Sequence, residues 1–148
     1  MRKIALLGAV AAVAAAVPAS ANEARVEARG GIAWANGVEE AVAGVATGYD
    51  FDLGTGAFAG VEASADKILA DGADVVFGVT ARAGAKIGDA GKLYATAGYS
   101  FNDGDAFHAG AGYQHKLGDS TYVKVEYRHF FDEIVDVNTA AIGFGLTF

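Results

Sequence analysis

The sequence predicts an all-β fold, an eight-stranded antiparallel up-and-down barrel. Three observations predict it: period-two alternation, turn residues at steady intervals, and, after residue 22, the lack of any long apolar run together with only weak helical periodicity. Glu23-Ala24-Arg25-Val26-Glu27-Ala28-Arg29 alternates charged and apolar residues without a break, which is the period of a strand with unlike faces. The pattern recurs in 122–131, where Lys124, Glu126 and Arg128 alternate with Val123, Val125 and Tyr127, and again in 76–87 and 92–101.

Turn chemistry then cuts the chain into elements. Asn36-Gly37 separates a first strand at about 23–35 from a second at 39–51, and the Asp52 to Gly56 segment precedes a third at 57–67. Asp71-Gly72 opens onto a fourth at 74–87, and Gly88 to Gly91 onto a fifth at 92–101. Asn102 to Asp105, Gly118-Asp119-Ser120 and Asp132 to Asp136 delimit the last three, at 106–117, 121–131 and 137–148. Seven turns thus give eight strands, most of them at or a little above the length of about 9–11 residues that crosses a bilayer at a barrel tilt.

Two domains are expected, an export signal at 1–21 and a barrel at 22–148. Met1-Arg2-Lys3 is a positive start, Ile4 to Val17 an apolar run, and Ala19-Ser20-Ala21 a small-residue cleavage pattern. The apolar run is too short for a retained anchor, which takes roughly 20 residues. Cleavage after Ala21 removes Arg2 and Lys3 and takes the net charge from -7 to -9. With this charge and no basic run, no nucleic-acid partner is expected. Lack of cysteine excludes disulfides and thiolate metal sites.

Alternation alone does not say which face meets water. A soluble periplasmic barrel that binds an apolar ligand would put the charges outside, and it stands as the alternative. Three features favour the membrane. The charged phase also carries Gly44, Gly60, Gly78, Gly84, Gly98, Gly110, Gly112, Gly143 and Gly145, which suit a crowded lumen and gain nothing on a wet surface. The apolar phase is small in mid-strand (Ala81, Ala83, Ala95, Ala97, Ala109, Ala111) and aromatic toward the ends. Trp34, Tyr49, Phe51, Phe77, Tyr99, Phe101, Phe107 and Phe131 stand where interfacial girdles belong. The mixed-sign charges can also pair across a lumen, as buried charges must.

Val125-Glu126-Tyr127-Arg128, a short acidic loop and the run Asn138 to Phe148 resemble the last hairpin of the small Gram-negative outer-membrane β-barrel family. That family includes the opacity-type porins and the barrel of outer-membrane protein A. Gly60-Val61-Glu62 is similar to the family pattern too, whereas the loops here are shorter than those of many relatives. The resemblance implies a monomeric barrel among outer-membrane lipid and lipopolysaccharide. It further implies that Phe148, Leu146 and Phe144 form the signal read by the barrel assembly machinery. The implied role is non-enzymatic: an envelope structural protein or a narrow porin, without cofactor.

The expected site is the lumen. Its charge network comprises Arg25, Glu27, Arg29, Glu62, Arg82, Glu126 and Arg128, with Glu40, Lys86, Lys92, Tyr94 and Lys124 in the same phase. Glu62 is expected to meet Arg82 near mid-depth, and Glu27, Glu126 and Arg128 to share a height on the far wall. Eight strands leave little more than side-chain room inside, so the cluster fills the bore. With a periplasmic N-terminus, the acidic loop residues Asp103, Asp105, Asp132, Glu133 and Asp136 face outside as a solvated rim. A divalent-cation bridge from these carboxylates to lipopolysaccharide phosphates is the other reading. No catalytic residue and no metal site are expected: His129 has Phe131 where a nucleophile would share its face, and His108, His115 and His129 point to different places.

Overall fold

The computed structural model describes residues 22–102 and 105–148. The expected export signal at 1–21 and the loop residues Asp103 and Gly104 lie outside the described residues. Eight strands follow in order: β1 (Glu23–Ala35), β2 (Val38–Asp52), β3 (Ala57–Ile68), β4 (Val75–Ile87), β5 (Gly91–Phe101), β6 (Ala106–Lys116), β7 (Thr121–Phe131) and β8 (Val137–Thr147). Each pairs antiparallel with its neighbour, and β8 closes on β1. Every boundary lies within one residue of the position expected from the turns. The β1–β2 connection is the tightest. Asn36 and Gly37 both take positive φ, 48° and 80°, the two-residue turn whose twist matches the flanking strands.

Register sets the tilt. Stepping around the barrel through paired residues runs from Ala24 to Tyr49, Val61, Ala81, Ala97, Ala109, His129 and Asn138, and returns to β1 at Trp34. The return falls ten residues further along β1, so the strands are strongly inclined to the barrel axis.

Those same residues face outward, and the face they belong to is apolar. Among the described strand residues the exterior carries only two charges, Glu39 and Lys67, both near the end bearing the β1–β2 turn. Val45, Val61, Val79, Val125, Ile142 and Phe144 are each more than 40% exposed on it. Charges inside and valines outside invert the soluble-barrel arrangement, so the exterior is built for hydrocarbon. Phe77 and Phe101 are direct cross-strand partners with ring centroids 6.1 Å apart, as are Phe107 and Phe131. Trp34 lies 6.2 Å from Tyr127 at the same rim, and Tyr49 packs edge-on against Phe51 at the opposite one. The eight aromatics expected in the girdles therefore all stand on the outer face, near strand ends.

Candidate functional site in the barrel lumen

Eight acidic and basic residues of the Asp, Glu, Lys and Arg types are buried in the lumen at 7% exposure or less: Arg25, Arg82, Lys124 and Arg128 against Glu27, Asp50, Glu62 and Glu126. Four charges of each sign leave this core neutral, which is the condition under which buried ions are tolerated. Glu62 is the hub. Its carboxylate accepts from Arg128 Nη2 at 2.6 Å, Arg25 Nη1 at 2.8 Å and Arg29 Nη1 at 3.0 Å, with Lys124 Nζ at 3.4 Å. Arg29 also grips Asp66 through two nitrogens, Nε lying 2.7 Å from Oδ1. Glu126 pairs with Arg128 and accepts from the Tyr94 hydroxyl at 2.7 Å. Glu27 holds Lys124 at 2.7 Å and accepts from Tyr122 at 2.7 Å.

A second cluster sits toward the barrel end that carries Glu23 and Phe148. Asp50 binds Arg82 through both carboxylate oxygens and Lys92 at 2.8 Å, and Lys92 continues to Glu23 at 2.9 Å. The Arg82 guanidinium lies over the rings of Tyr94 and Phe58, 4.7 and 5.3 Å from their centroids. Arg25 Nε stands 3.7 Å from Asp50 and joins the two clusters.

Five of these contacts obey one rule of register. Arg25, Gly48 and Glu62 are successive partners in one hydrogen-bonded row across β1, β2 and β3. The middle residue has no side chain, so the outer two meet above it. The same holds for Arg29–Gly44–Asp66, Asp50–Gly60–Arg82, Tyr94–Gly112–Glu126, Thr80–Gly98–His108 and Tyr122–Gly145–Glu27. In each row the flanking pair is in hydrogen-bond contact. A Cβ on Gly48 would lie 2.5 Å from Arg25 Nη2 and 2.7 Å from the carbonyl of Val61. Gly48→Ala is therefore expected to destabilise the barrel by about 1–3 kcal/mol, the usual range for overpacking. Urea-dependent unfolding in lipid vesicles measures it; an unchanged midpoint would show that the row tolerates a side chain.

The rule also corrects one expectation. Glu62 and Arg82 do not pair. They lie in adjacent rows, and Gly60 opens the path from Arg82 to Asp50, where Gln114 adds a further acceptor at 3.1 Å. Asp50, Asp66, Gln114 and Tyr122 belong to the network although sequence reasoning did not single them out. For Asp50, Asp66 and Tyr122 the signal was present as complementary residues flanking a glycine one strand away, whereas Gln114 lies between Lys92 and Lys124 in its row. Glu40 is in phase but exposed, on the part of β2 that rises beyond the end of β3.

The expected role of Phe144, Leu146 and Phe148 rests on a side of β8 that faces outward, with Phe148 67% exposed and its backbone paired to Ala24. His129, also outward, bonds Asn138 Oδ1 at 2.8 Å and stacks edge-on against Phe131; no serine adjoins it among the described residues. No group of metal-ligating side chains occurs among the described residues.

No curated protein sequence matches this one. Solved structures do. The N-terminal β-barrel domain of OprF from Pseudomonas aeruginosa superposes with TM-score 0.66 at 16% identity, covering 85% of this chain and 97% of that one. Ail, the attachment invasion locus protein of Yersinia pestis, gives 0.63 at 17%, with 86% and 97% covered. Neisserial surface protein A gives 0.60 at 13%, with 89% and 100% covered. Likeness at this identity shows the fold. The family is shown by a sequence model that matches residues 5–148, nearly the whole chain. Carrying a charged, closed lumen inside an apolar wall, the chain belongs to the outer membrane protein β-barrel domain family of the Gram-negative outer membrane.

Proposed function

We propose that the protein is a monomeric, non-enzymatic envelope barrel whose lumen is closed to solutes at rest. The observation that carries this reading is the neutral network of eight buried charges across the bore. Water or an ion crossing it must displace ion pairs that are completed by several partners each, Glu62 by four. Planar-bilayer recording tests the reading. Long silent periods are expected, whereas steady conductance from the native protein would sink it.

A narrow pore is the second reading, and one observation favours it. Cavities lie on both sides of the network, about 140 Å³ toward the outer mouth and about 210 Å³ at the periplasmic rim beside Glu23, Asp50 and Lys92. A rearranged network would connect them, and brief openings in the same recording would support that route.

An adhesive role gains nothing from the loops. Ail has been crystallised with a heparin analogue, sucrose octasulfate. Here the outer rim carries Glu39, Glu40, Asp71, Asp74, Asp105, Asp132, Glu133 and Asp136 against Lys67 alone among the described residues, the wrong sign for a polysulfate. Outer-membrane lipid and lipopolysaccharide are the proposed surroundings, and the assembly machinery the proposed partner of Phe144, Leu146 and Phe148. Deleting Phe148 is expected to lower the amount of heat-shifted, folded band in outer-membrane fractions several-fold. Equal amounts would remove the terminal residue from the signal.

A further inference from the structure

We propose that the outer vestibule of the lumen binds a small organic ammonium ion with an apolar body about the size of benzene. Above the charge network the inward face changes character. Val42, Ile68, Val76, Ala106, Phe130 and Val137 line a cavity of about 140 Å³ at the outer end of the barrel. Apolar side chains turned into the lumen at a mouth that opens to water leave hydrocarbon surface uncovered, and a concave apolar pocket with a few polar groups is the usual form of a small-ligand site. A cavity of roughly 150 Å³ is large enough to take one benzene molecule.

Charge selects the head group. The three cations on the cavity floor are already matched: Arg29 by Asp66, Arg128 by Glu126, and Lys124 by Glu27. Asp132 also lines the cavity, at its rim, and has no cation within ion-pair distance among the described residues. Its Oδ1 accepts only the backbone N–H of Ile134 at 2.9 Å. The carboxylates of the surrounding rim outnumber Lys67 eight to one among the described residues, so the approach to the cavity concentrates cations and repels anions. An apolar ring would rest against Phe130 and Ile68 while the ammonium reached Asp132.

Methyl-labelled barrel in lipid nanodiscs, titrated with benzylammonium, benzyl alcohol and phenylacetate in turn, separates the contributions. Saturable shifts of Val42, Ile68 and Val76 methyls are expected with benzylammonium. Phenylacetate is expected to bind at least about tenfold more weakly. Asp132→Asn should weaken benzylammonium and leave benzyl alcohol unchanged, and Ala106→Leu should abolish both by filling the cavity. Raised salt should reduce the preference for the cation. Equal or reversed preference for phenylacetate overturns the proposal, and so do shifts confined to the outward methyls of Val61 and Val79, which would place the amine in lipid. Because Asp132→Asn leaves the barrel wall intact, the test stands even where Ala106→Leu fails to fold.

Discussion

Glu62→Ala is expected to destabilise the folded barrel by about 3–5 kcal/mol, the range for removing one partner from a buried ion pair. The loss is large because four cations share this carboxylate. Arg25 is left worst off. Its side chain is fully buried, and its remaining carboxylates, Asp50 and Glu27, stand at 3.7 and 3.8 Å, beyond good hydrogen-bond distance. Arg128 keeps Glu126, and Arg29 keeps Asp66. Glu62→Gln should fall between wild type and Glu62→Ala, since it preserves volume and an acceptor but not the charge. Urea titration of folded protein in vesicles reads the effect, and the same variant should lengthen openings in bilayer recordings. If both variants unfold at the wild-type midpoint, the network fills space without holding the barrel together. A double-mutant cycle with Arg128→Met isolates the shortest of the four contacts from the rest.

Ala81→Arg is expected to cost about 2–4 kcal/mol, the cost of a cation at the bilayer midplane on a barrel exterior. Ala81 is the central residue of β4, paired with Val61 and Ala97 in the apolar belt. The next residue, Arg82, carries the same side chain natively, buried at 3% exposure against Asp50. One step along the chain thus changes an arginine from a lumen ion pair to an unpaired charge in hydrocarbon. Folding yield into vesicles, read as the heat-shifted fraction on a gel, should drop for Ala81→Arg and not for Ala81→Val. Equal yields would mean that this face does not meet lipid.

Much of this architecture was legible in the sequence because it is written in local terms. Strand ends follow from turn residues such as Asn36-Gly37 and Gly88. Inside and outside follow from alternation, which put Arg25, Glu27, Arg29, Glu62, Arg82, Glu126 and Arg128 on one face and the girdle aromatics on the other. Partner identity is not local. Whether Arg82 meets Glu62 or Asp50 depends on the relative register of β2, β3 and β4, and so on the ten-residue offset at closure. The apolar upper lumen also escaped notice. Val42, Ile68 and Phe130 sit near strand ends in the charged phase, where neighbours such as Glu40, Asp66 and Arg128 dominate the pattern.

The row Tyr122–Gly145–Glu27 crosses the seam where the last strand meets the first. A slip of two residues at that seam keeps every side chain on its own face and preserves most backbone pairing, so the sheet by itself discriminates weakly against it. The slip would set Gly145 opposite Arg25 or Arg29, and the Tyr122 hydroxyl would confront a guanidinium in place of the carboxylate that now accepts its hydrogen bond. The lumen thus acts as a vernier for the final joining step: hydrogen-bond chemistry inside the cylinder reports whether its two edges have met at the right notch.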